Sequence, residues 1–328
     1  MRAAAPTDRP RAQQVADSGD AAQAEPGGTL AWMSTFAGLL VLLLTTAAGC
    51  GEVASIPIDS PSGDDDARVP PDTHTPVWSP YKLIDIAYTG NVRNPVVTGD
   101  GLNIYFIDSG TGSDVFDAFT ASRASTSTGF GTPALVPVVN VTGQQERYLE
   151  ISGDGLELYF SQGDLGPIMV STRANVGAPF STPVAVRTGI AGNFPSISGD
   201  KLALYFIAQA MGINGELRKT TRTAVGQPWS APAAVPLTGV IEIYSSIDVS
   251  IDELAILRAP SLVQPPPGAV VISRRASKAG SFDQNEVLAP MDCTTCAFAS
   301  ARWNANDTEI WTGQKNGMRE GPWLSRLE

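Results

Sequence analysis

The chain has few of the residues that most often bind metals or act as catalytic bases. It contains a single histidine, His74, and three cysteines in 328 residues. A metal site built from several histidines is therefore excluded, and histidine-based catalysis has little material. We expect no metal and no cofactor. The 33 acidic residues outnumber the 22 basic ones and give a net charge of −11, which argues against nucleic acid as a partner.

Helical periodicity is also missing from most of the chain. Beyond residue 76, apolar and polar residues alternate with a period of two, and no segment repeats with the period of a helix. Glycine and proline are abundant, with 32 and 25 copies, while hydrophobic residues make up 43% of the chain. This composition predicts an all-β fold with a substantial core and many turns.

The apolar run at residues 30–48 indicates export, because it carries no charge. It could be a transmembrane helix or the apolar region of a secretory signal. The run ends in Ala47-Ala48-Gly49-Cys50, which resembles the lipobox of bacterial lipoproteins. The resemblance implies that the Cys50 thiol receives a diacylglycerol and that the chain is cut before it. The protein would then be anchored in the cell envelope, at the periplasmic or surface face of the outer membrane.

This interpretation divides the chain into three parts. Residues 1–49 form a leader, for which Met33 is an alternative start. Residues 50–76 are acidic and rich in proline and serine, so we expect a disordered tether. Residues 77–328 form the folded domain.

A repeat of about 50 residues organises the folded domain. The repeated strand occurs at residues 98–109, 152–163, 198–209, 250–261 and 305–314. Its aligned large residues, which we expect in the core, are Tyr105, Tyr159, Tyr205, Leu257 and Trp311. Four of the units continue with a strand that ends in arginine, and an aromatic residue follows seven positions later. These pairs are Arg123 and Phe130, Arg173 and Phe180, Arg222 and Trp229, and Arg275 and Phe282.

Each unit therefore predicts four short antiparallel strands, the pattern of a β-propeller blade. The last unit ends at its arginine strand and lacks a fourth strand. Residues 77–86 look like that missing strand and would complete the last blade from the other end of the chain. The prediction is a closed propeller of five four-stranded blades, with no exposed sheet edge where the ring closes.

The S-x-D-G-x-x-L-Y-F strand, the arginine strand and the F/W-S-x-P step resemble the TolB-type, WD40-like (PD40) repeat of bacterial envelope proteins. The resemblance covers residues 77–328 and is weakest in the last two units, which lose the Tyr-Phe pair. It implies a propeller outside the cytoplasm. It implies no activity, because the family includes protein-binding scaffolds as well as propellers attached to enzymes.

Several repeated or paired residues have a structural interpretation. One aspartate recurs at the turn of each of four units, where its side chain supports the turn. The positions are Asp100, Asp154, Asp200 and Asp252, with Asn306 in the fifth unit. The repeated arginines are expected to have a fixed structural role, such as pairing with a carboxylate at a blade edge. Cys293 and Cys296 form a CxxC pair, which can be a redox motif, half of a zinc site or a disulfide. We favour a local disulfide, because export exposes thiols to an oxidising compartment and further zinc ligands are missing.

Function in a propeller is expected where the repeats differ, near the mouth of the channel. The divergent residues are Arg93, Asn94, Arg147, Tyr148, Glu150, Asn193, Phe194, Asp248 and Arg302. They could hold a peptide or a sugar, or they could line a polar channel filled with water. The leading hypothesis is a monomeric, non-catalytic scaffold for an unknown envelope protein, peptide or glycan. The alternatives are a purely structural protein and a glycosidase or other hydrolase that uses Glu150 and Asp248 as paired carboxylates.

Overall fold

The computed structural model describes residues 78–79, 82–109, 115–209, 214–239, 246–259, 270–288, 297–304, 307–316 and 319–326. These residues form twenty strands and no helix, which confirms the all-β prediction. No part of this described set could cross a membrane as an apolar helix. Cys50, His74, Cys293, Cys296 and Asn306 lie outside it, so lipidation and the disulfide stay predictions.

The strands form five separate antiparallel sheets of four strands each, which are the five predicted blades. Blade 1 contains β2 (Arg93–Val97), β3 (Asn103–Asp108), β4 (Asp117–Ser122) and β5 (Ala134–Leu135). Blade 2 contains β6 (Glu146–Ile151), β7 (Glu157–Gln162), β8 (Ile168–Thr172) and β9 (Val184–Ala185). Blade 3 contains β10 (Asn193–Ile197), β11 (Ala203–Gln209), β12 (Gly215–Thr221) and β13 (Ala233–Ala234). Blade 4 contains β14 (Ser246–Val249), β15 (Ala255–Ala259), β16 (Val271–Arg274) and β17 (Gln284–Val287). Blade 5 contains β18 (Ala297–Trp303), β19 (Glu309–Asn316), β20 (Arg319–Arg326) and β1 (Lys82–Leu83).

The first strand of each blade lies next to the propeller axis. Strands β2, β6, β10, β14 and β18 contact one another in that order, and β18 contacts β2 again. The ring is therefore closed.

The N-terminal segment completes blade 5, as its sequence predicts. Strand β1 pairs with β20, with Lys82 opposite Leu324. The backbone nitrogen of Ser79 also donates to the carbonyl of Arg326 at 2.8 Å. The segment then reaches blade 1, where the nitrogen of Phe130 donates to the carbonyl of Asp85 at 2.8 Å. One segment thus covers the free edge of β20 and ties the last blade to the first.

The aligned large residues of the second strands form the core between the blades. Tyr105, Tyr159, Tyr205, Leu257 and Trp311 are all buried. Each packs with side chains of a neighbouring blade, and Tyr105 for example shares a cluster with Leu149 and Phe160 of blade 2. The predicted core is confirmed.

The repeated aspartates support turns, as expected. Oδ1 of Asp100 accepts hydrogen bonds from the Thr98 hydroxyl at 2.6 Å and from the Leu102 nitrogen at 2.9 Å. The same two bonds recur in three further blades, at Asp154, Asp200 and Asp252. In blade 5 the side chain of Asn304 accepts bonds from the nitrogens of Thr308 and Glu309 instead.

The repeated arginines have the structural role expected of them, but the shared partner is not a carboxylate. Among the described residues, only Arg222 of the four pairs with a carboxylate, that of Glu157, at 2.8 Å. The shared partner is instead a backbone carbonyl of the blade's own turn, to which each arginine Nε donates. The acceptors are Gly101, Gly155, Lys201 and Glu253, in chain order. A guanidinium suits this role, because it carries five N–H donors in a rigid planar arrangement.

Candidate functional site

A cavity of about 350 Å³, here called the axial cavity, lies where the innermost strands end and the turns begin. All five blades contribute to its lining, so the cavity lies on the propeller axis. One part of the wall is apolar and includes Val96, Ile151, Ile197 and Val249. The other part is acidic and includes Glu150, Asp154, Asp248 and Asp307.

Arg302 fills the axis beside this cavity. Its side chain extends from blade 5 and is fully buried. The guanidinium donates to the carbonyl of Ile247 at 2.8 Å, and to those of Pro195 and Leu149 at 3.2 Å each. These carbonyls belong to blades 4, 3 and 2, so one side chain joins four of the five blades. The guanidinium of Arg302 therefore occupies the axis at this level.

Two of the candidate acids share this cation. Glu150 Oε2 and Asp248 Oδ1 each lie 3.5 Å from Nη1 of Arg302. Asp248 has further partners, since Oδ1 accepts from the Ser196 hydroxyl at 2.7 Å and Oδ2 from the Trp303 nitrogen at 2.6 Å. Glu150 is less well satisfied, because its one hydrogen bond comes from the Ile197 nitrogen at 3.4 Å. Within the described residues, Glu150 Oε2 receives no hydrogen bond.

Burial dominates the electrostatics of these acids. It raises the pKa of Glu150 well above its usual range, the charge of Asp248 adds to this rise, and Arg302 opposes it. Burial also raises the pKa of Asp248, again against the effect of Arg302. Burial raises the pKa of Asp307 to about 7. For Asp154, burial acts upward, but hydrogen bonds from Lys201 and Ser152 lower the pKa overall.

The other candidate residues lie at the opposite end of the innermost strands. Asn94, Tyr148 and Phe194 occupy equivalent positions in blades 1 to 3 and have positive φ angles of 48°, 56° and 52°. Each sits at a break in the pairing with the second strand, as in a β-bulge. Asn193 is fully buried, and the rings of Tyr148 and Phe194 pack with centroids 4.0 Å apart.

Two arginines at that end flank one aromatic ring. The guanidinium carbons of Arg93 and Arg147 lie 5.3 and 4.4 Å from the ring centroid of Phe116. Arg147 also pairs with Asp164 at 3.1 Å, and the Tyr148 hydroxyl donates to the same carboxylate at 2.8 Å. The structure thus brings the candidates together in two groups along the innermost strands. Arg302 links them, because its guanidinium carbon lies 5.9 Å from the ring centroid of Phe194. Whether either group binds a ligand stays a prediction.

Sequence reasoning missed Ser196, Asp307, Phe116 and Asp164. Ser196 lies within an innermost strand, but it was not among the divergent positions selected from the sequence. Asp307 was hidden because Asn306 aligns with the turn aspartates of the other units. Phe116 and Asp164 lie beyond the second strands, where the repeats have no common pattern. Across the described ranges, no group of three or more His, Cys, Asp or Glu side chains is placed to hold a metal ion.

Comparisons with known proteins found only distant structural similarity. No family model matches the chain, and no curated protein does. TolB from Acinetobacter baumannii is 13% identical with a TM-score of 0.45, over 73% of this chain and 54% of that one. An α-L-arabinofuranosidase from Podospora anserina is 9% identical with a TM-score of 0.45, over 76% and 95%. A gluconolactonase from Xanthomonas campestris is 12% identical with a TM-score of 0.41, over 71% of each chain.

The chain spans about half the length of the TolB structure that it matches, 54%. Likeness at this level carries no argument about activity, because one fold supports many functions.

Proposed function

We propose that this protein is a lipid-anchored component of the bacterial cell envelope whose propeller binds a partner without catalysing a reaction. Arg302 carries the proposal, because it engages both candidate catalytic acids and three backbone carbonyls at once. Because of these contacts, we interpret Glu150 and Asp248 as structural residues of the propeller axis. This interpretation leaves the axial cavity as a concave site that all five blades build.

Hydrolysis is the second candidate, since Glu150 and Asp248 line the same cavity. Glycoside hydrolysis needs one carboxyl group free to protonate the leaving oxygen and another free to attack or to activate water. Both oxygens of Asp248 already accept hydrogen bonds, from Ser196 and Trp303. Both acids also face the same guanidinium, which holds them against reorientation. Binding therefore has the better geometric support.

An activity screen separates the two candidates. We expect no turnover of aryl glycosides, glycans or lactones above the level of a Glu150→Gln variant. If the wild type shows turnover that disappears in both Glu150→Gln and Asp248→Asn, with unchanged melting temperatures, the protein is an enzyme and the non-catalytic proposal is wrong.

Site-specific photocrosslinking in intact cells tests the scaffold directly. A benzophenone amino acid at Ile251, which is 46% exposed and lines the axial cavity, should capture a discrete partner. The matched control is Val184, which is 60% exposed on the outermost strand of blade 2. Equal capture from both positions, or capture from neither, would contradict a specific binding face on the axis.

The lipid anchor needs its own test. Cells fed a radiolabelled fatty acid should label the wild-type protein and a Cys293→Ser variant, but not a Cys50→Ser variant. The Cys293 variant controls for the loss of a cysteine as such. Persistent labelling of the Cys50 variant would refute the lipid assignment.

A further inference from the structure

We propose that the axial cavity binds an organic cation, the ammonium or guanidinium of a lysine or arginine side chain presented by the partner. The inference rests on the proposed function, because it names the chemical group that the scaffold receives. It is argued from the charges, the hydrogen bonds and the shape of the cavity.

The acids around the cavity outnumber the cations beside them. The four acids are Glu150, Asp154, Asp248 and Asp307. Lys201 neutralises Asp154, and the single charge of Arg302 is shared by Glu150 and Asp248. Within the described residues, Asp307 accepts one hydrogen bond, from the backbone nitrogen of Ile251 at 2.9 Å. Burial disfavours the ionised forms of Glu150, Asp248 and Asp307. A cation that enters the cavity would favour ionisation of these acids, since attraction between opposite charges is stronger in a medium of low dielectric constant.

Among the described residues, two carboxylate oxygens around the cavity receive no hydrogen bond. The side chain of Glu150 is nine-tenths buried, with 10% exposure, and its Oε2 has only the ion pair with Arg302 at 3.5 Å. Oδ1 of Asp307 is buried and has no hydrogen-bond partner in the described part of the chain. These oxygens belong to blades 2 and 5. An ammonium carries three donors and a guanidinium five, so either group could serve acceptors on both sides of the cavity.

The remaining lining matches the stem of such a side chain. Val96, Ile151, Ile197 and Val249 form an apolar wall, which suits the methylene groups below a lysine or arginine head group. A volume of about 350 Å³ is small for a ligand pocket and suits one long side chain better than an oligosaccharide.

Cross-blade contacts hold the acids in place before any ligand arrives. The turn of blade 4 is tied to blade 5 by the bond between Ile251 and Asp307, and to blade 3 by the Gly199 nitrogen, which donates to the Ile251 carbonyl at 3.2 Å. Blades 1 and 2 are joined by the Gly99 nitrogen and the Gly153 carbonyl at 3.1 Å. Binding to a site that is already ordered costs less conformational entropy.

The test uses two short peptides at low ionic strength. One is acetyl-Gly-Gly-Lys-Gly-Gly-amide, and its control carries norleucine, which keeps the stem but lacks the charge. We expect the lysine peptide, and not the control, to shift the NMR methyl signals of Ile197 and Val249. No shift with the lysine peptide or its arginine analogue, or equal shifts with norleucine, would overturn the proposal.

Charge-removal variants locate the effect. Asp307→Asn and Glu150→Gln should each weaken binding of the lysine peptide about fivefold or more, because each removes one acid that could carry a negative charge beside the ligand. Glu216→Gln changes the net charge equally, at a partly exposed side chain on β12 of blade 3, and should leave affinity unchanged. The melting temperature of each variant shows whether it is folded. Equal weakening in all three folded variants would mean non-specific attraction and refute the site.

Two further arms identify the source of the cation. Free 1,5-diaminopentane should bind more weakly than the lysine peptide, and equal binding would overturn a partner side chain as the ligand. Calcium chloride should not displace the peptide at matched ionic strength, and saturable displacement would make this a metal site instead. Crosslinking of the partner from Ile251 does not depend on ligand charge. If crosslinking captures a partner but the lysine peptide does not bind, the cation site is refuted and the proposed scaffold function is retained.

Discussion

The guanidinium of Arg275 lies 4.2 Å from the ring centroid of Phe282, which follows it by seven residues in the chain. The constant offset in the sequence is therefore a contact between the end of one strand and the start of the next. The same contact recurs at 4.5 to 4.6 Å in the pairs Arg123 and Phe130, Arg173 and Phe180, and Arg222 and Trp229. In each of these four blades, one arginine therefore connects the turn before the second strand to the aromatic residue that precedes the outermost strand.

The first prediction concerns this brace. Arg275 is buried, and its guanidinium also donates to the Glu253 carbonyl and the Tyr205 hydroxyl, at 2.8 Å each. Lysine cannot form both bonds and still stack on Phe282. Arg275→Lys should lower the free energy of unfolding by about 2 kcal/mol, as measured by urea unfolding.

Arg218→Lys is the matched control, because Arg218 is partly exposed and pairs with Glu216 on the same strand. Its effect should stay within about 0.5 kcal/mol. If the two variants lose equal stability, the repeated arginine is not a brace.

The blades and their closure could be predicted because their signals are local and repeated. Alternation with period two marks the strands, and the aspartate turns mark where the second strands begin. The aromatic residue seven places after each arginine aligns the outer strands. The closure could also be predicted by counting strands. The last repeat unit lacks a fourth strand, and the strand at residues 77–86 belongs to no other unit.

The arrangement of the site could not be predicted in the same way. The positive φ angles at Asn94, Tyr148 and Phe194 accompany irregular pairing, which changes the direction of side chains along the innermost strands. Alternation in a sequence does not reveal such a break. Arg302 is a second case, because it contacts Leu149, which is 153 residues away in the chain. No local pattern marks a contact of that range.

The second prediction concerns ring closure. A chain that starts at residue 87 loses the strand that covers β20, together with the contacts of Ser79 and Asp85 across the closure. It should unfold with a free energy lower by about 3 kcal/mol or more, a large part of the stability of an ordinary domain. It should also self-associate through the free edge, which sedimentation would detect. A chain that starts at residue 77 is the control, and equal stability and mass for the two would rule out this mode of closure.

The third prediction concerns Cys293 and Cys296, the only cysteines in a chain that starts at residue 77. This shortened chain, exported behind a cleavable signal sequence and unfolded in urea without reductant, should show no reactive thiol, and reductant should release two. The double serine variant should melt only slightly lower, because the closed loop is short and its entropic effect is correspondingly small. Two free thiols before reduction, or stoichiometric zinc by elemental analysis, would bring back the redox or metal interpretation.

The fourth prediction concerns the pH dependence of stability at Glu146. This residue is fully buried at the start of β6, where Oε1 accepts from the Val141 nitrogen at 3.3 Å and Oε2 has no partner among the described residues. Burial, the largest cause, raises the pKa of Glu146 from 4.5 to about 7. Between these values the unfolded chain releases a proton that the folded chain retains. The contribution of Glu146 to stability therefore falls as the pH rises through this window, and it levels off above it.

Glu146→Gln removes the titration and keeps an oxygen for the Val141 bond. Below pH 4.5 the variant and the wild type should have similar free energies of unfolding, since both side chains are then neutral. At pH 8 the variant should be more stable by about 2 to 4 kcal/mol, since each unit of pKa shift corresponds to about 1.4 kcal/mol. Asp307, Glu150 and Asp248 titrate in both proteins, so the difference between the two urea curves isolates Glu146. A difference that stays constant from pH 4 to pH 8 would mean that Glu146 ionises normally in the folded protein and that its site admits water.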